Sequence, residues 1–459
     1  MALGPGNGFD LLLKSVAADV LLRPWFDDAA LRLLANWYFP LSRAWAAAIA
    51  AEGSVERFRG LAPCGELTGR LLPGILKQMK RCLDRLDTAA AAWEQAFFGD
   101  GPPTAEAETV RADAAQALMA ARALMAALHL ERPFDAVQWQ IEQPDSVTAR
   151  HGSRLDRPET AFEEALARPA IEASRTMAGD HCEDGWLRFA TPVAAAGDTA
   201  WARVSTPREW QRADGRGDGP SLVFTHGIAM EPEWWGEHTT SMTALVDAGV
   251  RMIRPEGPWH GRRRLAGFYG GEPVLGRGPA GLLDFFHAHV TEIGILTAWA
   301  RNTGSGPVAV GGISLGALTA QLVAVAARHW PDEMRPDALF LVTPSRSLTA
   351  IAFEGGLTGA LGVPDALAGA GWTPLAAAAW APLLEPIGEP ALPADRIVVV
   401  LGETDTVTLY AEGEALVRDW GVPEANVFRR PAGHFSASLG LARDDAPLRR
   451  FVSVLESLG

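Results

Sequence analysis

Val308-Ala309-Val310-Gly311-Gly312-Ile313-Ser314-Leu315-Gly316, running on into Ala317 to Ala327, decides how this chain is read. A β-branched, apolar run from Val308 to Gly312 is followed by a serine between two glycines and then by an apolar helical stretch, Leu318 to Ala327, so the order is strand, tight turn, helix. A serine on such a turn is lifted clear of the chain. The residues two before and two after it, Gly312 and Gly316, carry no Cβ, which lets the strand and the helix approach without clash.

A hydroxyl is a weak nucleophile until a base takes its proton and an acid orients that base. In this strand-turn-helix setting the acid and then the histidine follow the serine, each on a loop after a later strand. Asp405 follows the apolar run Ile397 to Leu401 and is the expected acid, with Glu403 on the same loop as its rival. Of ten histidines only His434 lies beyond that acid, so it is the expected base. An oxyanion needs preorganised donors, and the segment Thr225-His226-Gly227-Ile228 at the end of a strand offers the N–H of Ile228 to pair with that of Leu315. His226 precedes the serine and reads as a brace of that loop. Trp234 and Trp235, just beyond it, are the expected walls of a substrate pocket, although plain packing explains them equally.

Outward from this centre, strands are expected at Ala202 to Ser205, Ser221 to Thr225, Val250 to Arg254, Val308 to Gly312, Ala338 to Val342, Ile397 to Leu401 and Val427 to Arg429. Several are continuous apolar runs, as strands buried on both faces must be, and helical stretches separate them. The fold class is therefore α/β, a mostly parallel sheet flanked by helices. Its core is expected over 185–345 and 394–459, with a cap over 346–393 that is rich in Ala, Gly, Leu and Pro, and a helical amino-terminal extension over 1–184. In that extension the stripe Ile75, Leu76, Met79, Cys82, Leu83 and Leu86 predicts a helix ending before Gly99 to Pro103, and a second starts at Thr104 with Glu106 and Glu108 in its first turn. The aromatic group Trp25, Phe26, Trp37, Tyr38, Phe39 and Trp45 reads as bundle core. The polar stretch Arg154 to Arg168 reads as a connection with one short helix.

On the strength of His226 and Gly227, Gly312 to Gly316, Asp405 and His434, the last 260 or so residues resemble the α/β-hydrolase-fold serine hydrolases of the esterase and lipase kind. The segments Gly312 to Gly316, Phe353 to Leu357 and Gly433 to Leu439 are similar to the abhydrolase-domain-18-like proteins, which also carry an amino-terminal extension. The resemblance implies cleavage of a carboxylic ester through an acyl-enzyme. The same residues would serve an amidase, a peptidase or an acyltransferase, and an inactive hydrolase fold would serve as a binding protein. Where many relatives have an acidic-then-glycine loop, this chain has Arg254 to Gly261 and then Arg262, Arg263 and Arg264, which reads as a solvated or ion-paired face rather than as a substrate clamp. His260 reads as a structural hydrogen-bonding residue.

The formal net charge of -14 would repel phosphate backbones, so no nucleic-acid partner is expected. Three cysteines, Cys64, Cys82 and Cys182, are too few for a disulfide framework and read as reduced core thiols. No metal is expected, since His287 and His289 stand two apart on a helix and face different ways, and no nucleotide cofactor, since no phosphate-binding fingerprint occurs. Asp10, Lys14 and Asp19 interrupt the first apolar stretch, so a cytoplasmic location is expected. Trp372 to Leu384 is too short to span a bilayer and holds Pro374 and Pro382. The expected partner is a small acyl-ester substrate. An apolar cap and extension could also contact a membrane or serve a homodimer.

Overall fold

Apolar runs long enough to be buried on both faces need neighbours on both edges, and they find them in one sheet. The computed structural model describes residues 24–179, 182–210, 219–231 and 240–459. Its strands are β1 (Glu172–Ala173), β2 (Met177–Ala178), β3 (Cys182–Ala190), β4 (Thr199–Pro207), β5 (Ser221–Thr225), β6 (Arg251–Pro255), β7 (Val308–Ile313), β8 (Ala338–Val342), β9 (Ile397–Gly402) and β10 (Val427–Arg430). They form one sheet in the order β1-β3-β4-β6-β5-β7-β8-β9-β10, with β2 also paired to β3. From β6 to β10 every pairing is parallel, whereas β4 on β6, β3 on β4 and the two short strands on β3 are antiparallel.

The side chains of β5 to β9 alternate between two cores. Val223, Val310, Leu341 and Val399 meet the helices Gly278–Asn302 and Leu315–Ala326 on one face. Leu222, Ala309, Phe340 and Val400 meet Thr240–Asp247 and Ala446–Glu456 on the other. This is the α/β-hydrolase fold, a mostly parallel sheet between helical layers. All seven expected strands are present, within three residues at each end. The nine-residue β3 was not expected, because it carries Glu183, Asp184 and Arg188 and shows no continuous apolar run; Asp184 is instead satisfied by Arg203 on β4 at 3.1 Å. β3 begins at Cys182, so the expected boundary at 184/185 falls inside a strand.

The first helices form a layer on the hydrolase core. Leu72–Phe98 and Thr104–Ala120 meet across the turn at Gly99 to Pro103 as the pattern required. Glu108, expected with Glu106 in the first turn, lies just past it, buried, and holds Arg111 with two bonds of 2.9 Å. Between Gly152 and Ala167 the chain makes three 3₁₀ turns and no α-helix, a departure from the short helix expected there. Trp45 and Phe39 are core residues, whereas Trp25 is 52% exposed.

The arginine run ties this layer down. Arg262 lies over Trp186 at 4.0 Å and Trp93 at 4.5 Å, and Arg264 lies over Trp45 at 4.5 Å. Arg263 holds Glu292 with two bonds of 2.7 Å; burial opposes ionisation of that carboxyl, but Arg263 and His289 bring it down to about 2. The run is therefore ion-paired and cation-stacked rather than solvated, and each stacked contact adds on the order of 1 kcal/mol.

Among the described residues no helix is long and apolar enough to cross a membrane. The stretch with Asp10, Lys14 and Asp19 lies outside the described residues. Cys64, Cys82 and Cys182 are free thiols, half-buried rather than core.

The glycines of the turn are required by packing. A Cβ on Gly312 would meet the backbone of Gly316, and one on Gly316 would meet the carbonyls of Thr225 and His226. Backbone cannot step aside as a side-chain end can, so Gly316→Ala is expected to lose at least about 1–3 kcal/mol of stability. Thermal unfolding measures it, and an unchanged midpoint would contradict the packing described.

Candidate active site

Every strand from β5 to β10 delivers its following loop to the same edge of the sheet, where ligands of open α/β sheets bind. On that edge stand five non-glycine residues with left-handed backbone: Ala229 (φ 56), Trp259 (φ 62), Ser314 (φ 55), Thr343 (φ 50) and Leu409 (φ 60). Each costs on the order of 1–3 kcal/mol and persists only where its surroundings hold it. One such residue lies beyond each of β5 to β9. Ser314 is held by its own N–H, which donates to the carbonyl of Val342 on β8 at 3.0 Å.

Ser314 Oγ lies 2.9 Å from His434 Nε2, and His434 Nδ1 lies 2.8 Å from Asp405 Oδ2. The three residues named from sequence are thus joined in one hydrogen-bonded series. Glu403, the rival acid, is exposed, and its N–H donates to Arg430 O at 2.8 Å. The remaining oxygen of Asp405 accepts from the N–H groups of Val407 at 2.7 Å and Thr408 at 3.0 Å. The Thr408 hydroxyl donates to Oδ2 at 2.8 Å. Burial alone would raise the pKa of Asp405; the charge and hydrogen bond of His434 and the bonds from Thr408 outweigh it and hold the carboxyl below its ordinary value. An ionised Asp405 accepting from Nδ1–H leaves Nε2 as the acceptor that faces Ser314.

Ile228 and Leu315, the expected oxyanion donors, line the same cavity as Ser314. Leu315 opens the helix Leu315–Ala326, so its N–H is one of the four without an acceptor inside that helix. Gly227 lies against the serine, since a Cβ there would stand 3.5 Å from Ser314 Cβ. His226 donates from Nδ1 to Gly227 O at 2.8 Å and accepts from the Gly257 N–H at 3.0 Å. His260 donates to Pro258 O at 2.9 Å and accepts from the Ala229 N–H at 3.3 Å. Burial pushes His226 down to about 4 and His260 well below the histidine range, so both are neutral struts between the loops after β5 and β6. Trp234 and Trp235 lie outside the described residues.

The cavity that Ser314 lines is about 1290 Å³ and, among the described residues, is walled mostly by apolar side chains from three parts of the chain, with charged ones such as Glu108, Arg111 and Arg203 also on its lining. Phe26 and Tyr38 come from the amino-terminal layer, Leu282 from Gly278–Asn302, and Ile351, Leu357 and Leu384 from the segment between β8 and β9. The aromatic group read as core is therefore divided, since Phe39 serves both core and cavity. Thr408 was missed by sequence reasoning, although its place three residues after the acid was a signal within reach.

Residues 222–454 match the family model described as Alpha/beta hydrolase family. That match spans just over half of the 459 residues, and the chain belongs to the α/β-hydrolase family. A hydrolase is the class that fold and match define. No curated protein matches the sequence. Among solved structures the chain is similar to acetyl xylan esterase 1 from Thermoanaerobacterium sp. JW/SL YS485, at 14% identity and a TM-score of 0.46, covering 66% of this chain and 93% of that one. It is also similar to an esterase from the archaeon Pyrobaculum calidifontis, at 17% identity and a TM-score of 0.37, covering 68% and 92%. A third is the acylaminoacyl peptidase of Pyrococcus horikoshii, at 12% identity and a TM-score of 0.40, covering 60% and 41%.

Thr408→Val removes a hydroxyl that donates to Asp405 Oδ2 and also lies 3.2 Å from His434 Nδ1. A hydrogen bond to a charged group is worth about 1.5–3 kcal/mol, so turnover is expected to fall about tenfold in a folded protein. Steady-state kinetics on a hydrolysable ester checks it, and a variant as fast as the parent would contradict this role for the hydroxyl.

Proposed function

We propose that this protein is a cofactor-independent serine hydrolase that cleaves carboxylic esters through an acyl-enzyme on Ser314. The observation that carries the reading is the unbroken series from Ser314 Oγ through His434 to Asp405, at 2.9 and 2.8 Å, beside an apolar cavity. Ser314 Oγ attacks the acyl carbon while its proton passes to His434 Nε2, and Asp405 steadies the imidazolium. The negative charge on the former carbonyl oxygen is met by the N–H groups of Ile228 and Leu315. His434 then gives its proton to the departing alcohol oxygen, and a water activated by the same imidazole releases the acid and restores Ser314.

The cavity's apolar walls favour an ester with an extended apolar part, and Trp234 and Trp235 are our candidates for further pocket walls. The closer affiliation with the abhydrolase-domain-18-like proteins is part of this proposal and rests on the sequence likeness of Gly312 to Gly316, Phe353 to Leu357 and Gly433 to Leu439. Three free thiols accord with a cytoplasmic setting, because oxidising compartments favour paired cysteines.

Ser314→Ala should abolish labelling by a fluorophosphonate probe and leave the fold intact; labelling that survives would assign the wrong nucleophile. The pH dependence follows from the two partners. Asp405 is held below the ordinary carboxyl value, so its ionisation is complete before the acid limb of the profile begins, and the proposed mechanism then needs a single neutral base. The logarithm of kcat/KM is therefore expected to rise with a slope of about one per pH unit on the acid side. A slope of two would mean that a second group titrates with it.

A further inference from the structure

We infer that Asp27, in the amino-terminal layer, is a positioning residue for His434, so that this layer is a working part of the active site. The inference rests on the serine-hydrolase reading above.

His434 opens a helix, His434–Leu439, of only six residues. So short a helix does not hold itself, and its first N–H groups have no acceptor within it. Where those groups bond decides how the histidine is presented. The carboxylate of Asp27, on the helix Pro24–Leu33, supplies the acceptors. Its Oδ1 accepts from the N–H of Phe435 at 2.6 Å and of Ser436 at 3.1 Å, and its Oδ2 from the N–H of Gly433 at 3.2 Å. The Ser436 hydroxyl donates to Oδ2 as well and accepts from the Gly433 N–H at 2.9 Å. One carboxylate thus holds the backbone on both sides of His434. Residue 433 is a glycine for the same reason, since a Cβ there would meet the Asp27 carboxyl group.

The same layer reaches the opposite wall of the site. Tyr38 donates its hydroxyl to the carbonyl of Ala229 at 3.0 Å, on the loop that carries Ile228. Arg122 lies over the Tyr38 ring at 4.8 Å and fixes its direction. Both loops that flank Ser314 are therefore anchored from the first forty residues of the chain. A helical layer serving only to cover apolar surface would not need a carboxylate aimed at three N–H groups around the base.

The test uses the full chain with p-nitrophenyl butyrate and a fluorophosphonate, comparing the parent with Asp27→Asn and Asp27→Ala and taking Ser314→Ala as the blank. All are measured well below their unfolding midpoints. A base displaced by a fraction of an ångström slows both turnover and labelling, so kcat and the labelling rate are expected to fall together by about 10- to 100-fold in Asp27→Ala. KM should stay within about threefold, because Asp27 itself does not line the cavity. Asp27→Asn, which keeps one acceptor oxygen, should lose less, and it carries the test by the same readouts if the alanine variant does not fold. A folded variant with a lower midpoint but parental kcat and labelling rate would overturn the inference, as would a rise in KM alone. A parent that neither cleaves esters nor labels at Ser314 would instead bring down the serine-hydrolase reading, and this inference with it.

Discussion

The contact between His434 Nδ1 and Asp405 Oδ2 links parts of the chain that follow two different strands, and the chemistry proposed here turns on it. With the carboxylate ionised and accepting there, the imidazole has one tautomer and one direction, and its second nitrogen faces Ser314. Asp405 can stay ionised in a buried place because it also takes two backbone N–H bonds and a threonine hydroxyl. Burial of a charge is costly, and this carboxylate is compensated at every lone pair the loop can reach. The imidazole is placed in turn by its own short helix, and that helix by Asp27.

Local strain is the second theme. Five left-handed residues on consecutive loops cost free energy that the sheet and its helical layers must supply, and they all lie on the edge where the chemistry is proposed. Neutral His226 and His260 brace two of those loops against each other. The amino-terminal layer also braces the loop after β5, through Tyr38, and the loop after β10, through Asp27, and is fastened by Arg262 and Arg264 over tryptophans.

Sequence alone revealed what is periodic or local. The strands β5 to β9 are buried on both faces, so their apolar runs are continuous and stand out, and the glycine-bounded turn at Ser314 has a steric logic legible in five residues. Asp405 and His434 were legible through their order after later strands. β3 was not, because its charges are answered across the sheet by residues such as Arg203, which no local window contains. Glu108 was misplaced for a different reason: its partner Arg111 stands only three residues on, but the burial of both is set by what packs over that helix and not by the helix's own sequence. Asp27 acts on residues more than 400 positions away, and nothing near it in sequence marks it as a cap for another helix.

The most direct measurement is a crystal structure of the protein after reaction with an alkyl fluorophosphonate. Phosphorus is expected on Ser314 Oγ, with the phosphoryl oxygen within hydrogen-bond reach of the N–H groups of both Ile228 and Leu315 and with His434 still bonded to Asp405. An adduct on any other residue, or a phosphoryl oxygen turned away from those two donors, would contradict the account.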